Sequence, residues 1–172
     1  MYQLGDLVLY GSTGVCRVSE IREQDFPTTG EKRLYYILRP LYEDCTISAP
    51  VDSDKVFIRP IISRDEAERI IEDIPNVEVK VYHSRVSREL TEHYEAILKH
   101  HDCGSLVEMT KSIYAKKQSF QDQKRKFGTV DERFLKRAED LLFGELAAAL
   151  EIPRDQVQGY IESKLEYAKA AG

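Results

Sequence analysis

The apolar residues of this chain change their period once, at Pro60, and that switch constrains the fold more than any composition figure. From Leu7 to Arg59 they come in short runs bounded by turn residues, the pattern of strands. The runs cover residues 7–10, 14–18, 34–38, 45–49 and 55–58. Between them Gly11-Ser12-Thr13-Gly14, Pro27-Thr28-Thr29-Gly30 and Pro50-Val51-Asp52-Ser53 supply turn geometry that other residues resist. Five short strands in so little chain predict a small, strongly bent sheet or barrel, because an open flat sheet leaves vulnerable edges. An edge strand such as residues 45–50 is able to pair with a strand of another protein.

Beyond Pro60 the pattern is helical. Ser63-Arg64-Asp65-Glu66 reads as a capping box, opening a helix through Ala67, Ile70 and Ile71 that stops near Pro75. Residues 76–84 read as a linker, briefly extended because Val77, Val79 and Val81 alternate. Leu90, Tyr94, Ile97 and His101 then share one helical face, with Gly104 as a stop. Leu106, Met109, Ile113 and Phe120 mark a second helix. Thr129-Val130-Asp131-Glu132 reads as another capping box before a stripe of Phe134, Ala138, Leu141, Leu142 and Leu146. Pro153 suits the first turn of a last helix with Val157, Tyr160, Ile161 and Leu165. The expected fold class is α+β, a small N-terminal β-barrel followed by a C-terminal all-α helical bundle. The expected organisation is a strand domain over 1–62, a short helix and linker over 63–84, and a helical domain over 85–172.

Composition narrows the function classes. No run of apolar residues approaches the ~20 that a membrane span needs, and the start Met1-Tyr2-Gln3-Leu4-Gly5-Asp6 lacks the pattern of a secretory signal. Cys16, Cys45 and Cys103 form neither a disulfide ladder nor a C-x-x-C pair. A cytoplasmic protein is expected. His100-His101-Asp102-Cys103, with His93 upstream, is the only cluster with metal-ligand chemistry. Adjacent histidines on a helix point about 100° apart, so a structural role is expected and no metal or other cofactor is assigned. No nucleophile motif or phosphate-binding loop is present, and Gly11-Ser12-Thr13-Gly14 reads as a hairpin turn. The expectation is a protein that is not an enzyme.

The net charge of −5 hides a local excess of cations. Residues 111–126 hold Lys111, Lys116, Lys117, Lys124, Arg125 and Lys126 against Asp122 alone. Such a block, with Arg133 just beyond it, is able to hold phosphates at a helix-to-helix corner. The plainer alternative is a solvated corner that aids solubility.

The ordered motifs also resemble a known family. Leu4-Gly5-Asp6-Leu7-Val8-Leu9-Tyr10-Gly11-x-x-Gly14-Val15 is similar to the opening of CarD/CdnL transcription regulators, a module shared with the transcription-repair coupling factor. Tyr35-Tyr36-Ile37-Leu38, Thr46-Ile47-Ser48-Ala49-Pro50-Val51 and Val56-Phe57-Ile58-Arg59-Pro60-Ile61-Ile62-Ser63 follow in the family's order. Ile113-Tyr114-x-Lys116-Lys117 and Arg137-Ala138-x-x-Leu141-Leu142-x-Gly144-Glu145-Leu146-Ala147 resemble signatures of the CarD helical domain. The resemblance implies a Tudor-like barrel docking on the RNA polymerase β subunit by strand pairing, through Thr46, Ile47, Ser48, Ala49, Pro50 and Val51. It further implies that the helical domain meets promoter DNA at the upstream edge of the melted bubble, largely independently of sequence. Open-complex stability and initiation would then be modulated, with Arg88, Leu90, Lys116, Lys117, Lys124, Arg125, Lys126 and Arg133 as DNA contacts. The chain departs from the family pattern in having no Trp, with Leu90 near the place of the family's wedge. Ser48 and Gln24 stand where relatives often carry Arg. The missing Trp and the net charge of −5 favour an alternative, a protein–protein adaptor on the polymerase without direct DNA binding.

Overall fold

The computed structural model describes the backbone of residues 1–171 and the side chains of residues 1–166; the last residue of the expected helical domain, Gly172, lies outside them. Contacts divide the chain into two compact units, Met1–Ile62 and a second that begins at Ser63.

The first unit is one antiparallel sheet of five strands: β1 (Leu7–Tyr10), β2 (Gly14–Asp25), β3 (Lys32–Pro40), β4 (Ile47–Pro50) and β5 (Ile58–Pro60), in the order β4-β3-β2-β1-β5. The expected barrel closure is not found, because β4 and β5 are the sheet's two edges and do not pair with each other. Three residues of β5 match Val8, Leu9 and Tyr10 of β1 on one side, and four residues of β4 match Tyr35 to Leu38 of β3 on the other. Strands this short leave too little ladder to close the ring. A register shift between Val18 and Glu20 bends β2, as bulges do, and Ser19 Oγ donates to the Ile37 carbonyl there (3.0 Å). At the β1–β2 turn the Gly11 amide donates to the Phe57 carbonyl (2.7 Å). A Cβ on Gly11 would lie 2.8 Å from Val56 Cγ1, and its φ of +48° lies in the left-handed region. The alternating residues Val8, Cys16, Val18, Tyr36, Leu38 and Ala49 form the core, with Ile47, Val51 and Ile58 packed against it.

The second unit is helical: α1 (Arg64–Asp73), α2 (Ser87–Leu98), α3 (Cys103–Asp122), α4 (Thr129–Leu150) and α5 (Val157–Ala171). Ser63 caps α1, its Oγ accepting from the Glu66 amide (3.1 Å). The segment read as helix plus linker is tied into this unit. Ala67 and Ile71 are fully buried, and α1 packs on α4 and α5. Lys111 Nζ donates to the carbonyls of Ile74, Pro75 and Val77, and the Lys80 amide donates to Ser112 Oγ (2.8 Å). The period change at Pro60 therefore sits at the junction of the two units. The expected stop at Gly104 is instead the turn at His101 (φ +54°), with Asp102 capping α3 through the Ser105 amide (2.9 Å). The expected capping box at Thr129 does not form either: α4 has no side-chain cap, and Asp131 turns inward.

Candidate nucleic-acid interface and docking edge

In the helical unit, the cations expected to face DNA separate into two groups. Lys116 lies on the α3 stripe that runs through Met109, Ile113 and Phe120, and it is 3% exposed. Its ammonium donates to the Tyr82 carbonyl (2.9 Å) and pairs with Asp131 (3.0 Å), itself 3% exposed. Tyr94 of α2 donates its hydroxyl to Asp131 as well. A buried charge is held this way because each partner satisfies the other and neutral donors complete the shell. Lys116 is thus a structural cation, which corrects its assignment to DNA. Leu90, 7% exposed, is corrected likewise: it is a core residue and presents no apolar wedge to solvent.

The other cations are on the surface. Lys117 pairs with Glu132 (3.1 Å), and Arg88 pairs with Glu92 (2.9 Å) one turn along α2. Lys124, Arg125 and Lys126 are exposed in the connection between α3 and α4. The Arg125 amide donates to the Phe120 carbonyl (2.8 Å), closing the end of α3, with Lys124 in the left-handed region (φ +55°) where glycine is usual. The Arg125 guanidinium lies 4.5 Å from the Phe120 ring centroid, and Phe120 meets Phe127 edge-on at 5.8 Å. Exposed Arg133 lies over the Phe134 ring at 5.0 Å. Tyr94, in the second half of α2, contacts Asp131 and Phe134 in the first turns of α4. The corner can offer several phosphate contacts without breaking a core interaction.

Beside the buried pair, the His93 ring stacks on Tyr82 (3.9 Å, 9°) and meets Tyr94 edge-on. Burial first, then Lys116, push its pKa below the ordinary 6.5. The unfolded chain therefore binds this proton more readily, so the contribution of His93 to stability is present above about pH 6.5 and is lost as pH falls. His93→Gln is expected to flatten that acid-side slope, which thermal unfolding between about pH 5 and 8 measures; an unchanged slope would refute the assignment. Three more residues of the His93 and His100–Cys103 group have separate roles: Asp102 caps α3, His100 meets Ser105 Oγ, and Cys103 donates to buried Glu145 (3.3 Å). Among the described residues no three His, Cys, Asp or Glu side chains gather around a common point. Cys16 is buried with its thiol pushed up to about 12, chiefly by desolvation.

In the sheet unit, residues 46–51 form the edge. The Val51 amide donates to the Leu34 carbonyl (3.0 Å), and bonding positions alternate along an antiparallel ladder. Ile47, Ala49 and Val51 thus direct their backbone groups to β3, while Ser48 and the Pro50 carbonyl face the open side. Pro50 fits here because its missing N–H is one the ladder does not use. Side chains alternate too: Ile47 and Ala49 turn to the core, Thr46 and Ser48 to solvent. The family model for the CarD-like/TRCF RID domain matches residues 2–62. The sheet unit is a CarD-like/TRCF RID domain. Domains of this family are RNA polymerase β-interacting domains, and the match runs from the N-terminal segment through the end of β5. In this RID domain an unpaired strand edge lies at the residues expected to dock. Among the described residues, no helix is long and apolar enough to cross a membrane.

Proposed function

We propose that this protein is a CarD-like transcription regulator of the bacterial cytoplasm. Its RID domain, on this reading a Tudor-like module, docks on the RNA polymerase β subunit by adding the free edge of β4 to a strand of the polymerase. The helical unit lays Lys124, Arg125, Lys126 and Arg133, with Lys117 and Arg88 at the margin, along the promoter backbone at the upstream edge of the bubble. Tighter binding to the open complex than to the closed one shifts that equilibrium. The protein acts by differential binding and carries out no reaction. The observation that carries the reading is the RID-domain match over a unit whose β4 edge is unpaired.

Co-purification of the full chain with RNA polymerase tests the docking. Ser48→Pro should weaken it at least about tenfold, because it removes an edge donor that addition of a strand requires. The β3–β4 ladder keeps its bonds in that variant, so an unfolding midpoint close to wild type is expected. Undiminished polymerase capture by Ser48→Pro would exclude edge pairing.

A second reading, an adaptor on the polymerase that does not touch DNA, is favoured by the burial of Lys116 and Leu90 and by the pairing of Lys117 with Glu132. DNA binding by the full chain at low and high salt separates the two, since phosphate contacts give a steep salt dependence.

A further inference from the structure

We propose that the extended segment after α1 is a self-association surface, in which residues 77–81 of one copy pair antiparallel with residues 77–81 of a second copy, centred on Val79. This goes beyond the polymerase and DNA reading and does not rest on it.

The segment is tethered on one side. Val77 has extended backbone (φ −71°, ψ 129°), and residues 78–84 run on without helix, turn or bend. The Lys80 amide donates to Ser112 Oγ (2.8 Å), and the Tyr82 carbonyl accepts from Lys116 Nζ (2.9 Å). Two even-numbered residues thus turn backbone groups to α3. Bonding directions alternate along an extended chain, so Val79 and Val81 turn theirs away. Among the described residues, the amides and carbonyls of Val79 and Val81 have no partner. Side chains alternate as well. Tyr82 stacks on His93 and Lys80 meets Glu108 (3.5 Å), whereas Val79 and Val81 are 41% and 39% exposed. An unpaired edge carrying apolar side chains is a template for another strand.

Charge selects what that strand is. Val77-Glu78-Val79-Lys80-Val81 reads alike in both directions except that its two charges are opposite. A two-fold axis through Val79 sets Val79 against Val79, Val77 against Val81, and Glu78 against Lys80 of the partner copy. A two-fold contact repeats each pair, so both opposite-charge pairs form together. Val79 then exchanges both main-chain bonds with its counterpart, as its outward-facing groups require. Centring on Glu78 or Lys80 instead sets like charges opposite each other, which is unfavourable. Glu108 beside Lys80 tempers the attraction, and the paired stretch is short. The dimer is therefore weak, with dissociation in the range of about 10 µM to 1 mM.

The test is sedimentation of the full chain over that range, with amide shifts recorded alongside. Wild type should pass from monomer to dimer. The amides of Val79 and Val81 should move with concentration, while that of Lys80, held on Ser112, stays. Lys80→Glu gathers three carboxylates at each contact and should weaken the dimer at least about tenfold. Glu78→Lys sets lysine against Lys80, with Glu108 softening the repulsion, and should weaken it less. Mixed in equal amounts, the two variants bring lysine opposite glutamate at both contacts, so the mixture should associate more tightly than either alone. Mixing would not repair a defect confined to one copy's fold. Ser48→Pro should leave the dimer unchanged, which separates it from pairing through β4. A chain that stays monomeric to about 1 mM, association that both charge variants leave intact, a mixture no tighter than its better component, or loss of the dimer in Ser48→Pro overturns the proposal.

Discussion

Lys116→Met is expected to destabilise the helical unit by about 3–5 kcal/mol, the range for breaking a buried ion pair from one side. The methylene stem is largely preserved in the variant, so packing changes little. The cost arises because Asp131 keeps its charge at 3% exposure and retains only neutral donors such as the Tyr94 hydroxyl. The double variant Lys116→Met, Asp131→Leu should recover most of the loss, since both buried charges are then absent. Hydrogen exchange of α3 and α4 amides in the full chain reads the effect on this unit alone. A loss below about 1 kcal/mol would mean that Lys116 escapes to solvent, and would return it to the surface cations.

Reversing Lys124, Arg125 and Lys126 together to glutamate should reduce promoter-DNA affinity by roughly a hundredfold or more and lower the magnitude of the salt slope by about 3. Each residue is exposed in the α3–α4 connection, and none belongs to the buried pair or the apolar stripes. The fold should therefore survive, and polymerase capture through β4 should be unchanged. DNA binding titrated over a range of salt checks the slope directly. An unaltered affinity and slope would favour the adaptor. Reversing Lys116 instead would confuse lost folding with lost contact.

The two misassigned residues, Leu90 and Lys116, were legible from periodicity alone. Leu90 shares its face with Tyr94 and Ile97, and Lys116 falls three residues after Ile113 and four before Phe120. A position on an apolar stripe is buried first and charged second, so long as a partner reaches it. The cation block marks Lys116 for DNA and the family resemblance marks Leu90, whereas the local 3.6-residue period points both inward. Asp131 shows the converse. Its spacing to Phe134 and Ala138 marks the same buried face, but a helix-start motif of Thr and Glu obscured it.

Alternation, turn residues and caps act over a few residues, so the bare chain already places strands before helices, marks where most of those elements fall, and carries the motifs of a RID domain in its strand-forming part. The fold in three dimensions settles that the sheet stays open with β4 at its rim, and that the segment after Ile62 belongs to the helices. It alone divided the basic block into the interior Lys116, Lys111 held on backbone carbonyls, and a solvent-facing corner. Those outcomes depend on which distant groups meet: Asp131 and Tyr94 around Lys116, β3 beside β4, Lys111 over the carbonyls of Ile74 and Val77. No local pattern encodes such encounters, since a charge is free or fixed according to what folding brings within about 3 Å of it.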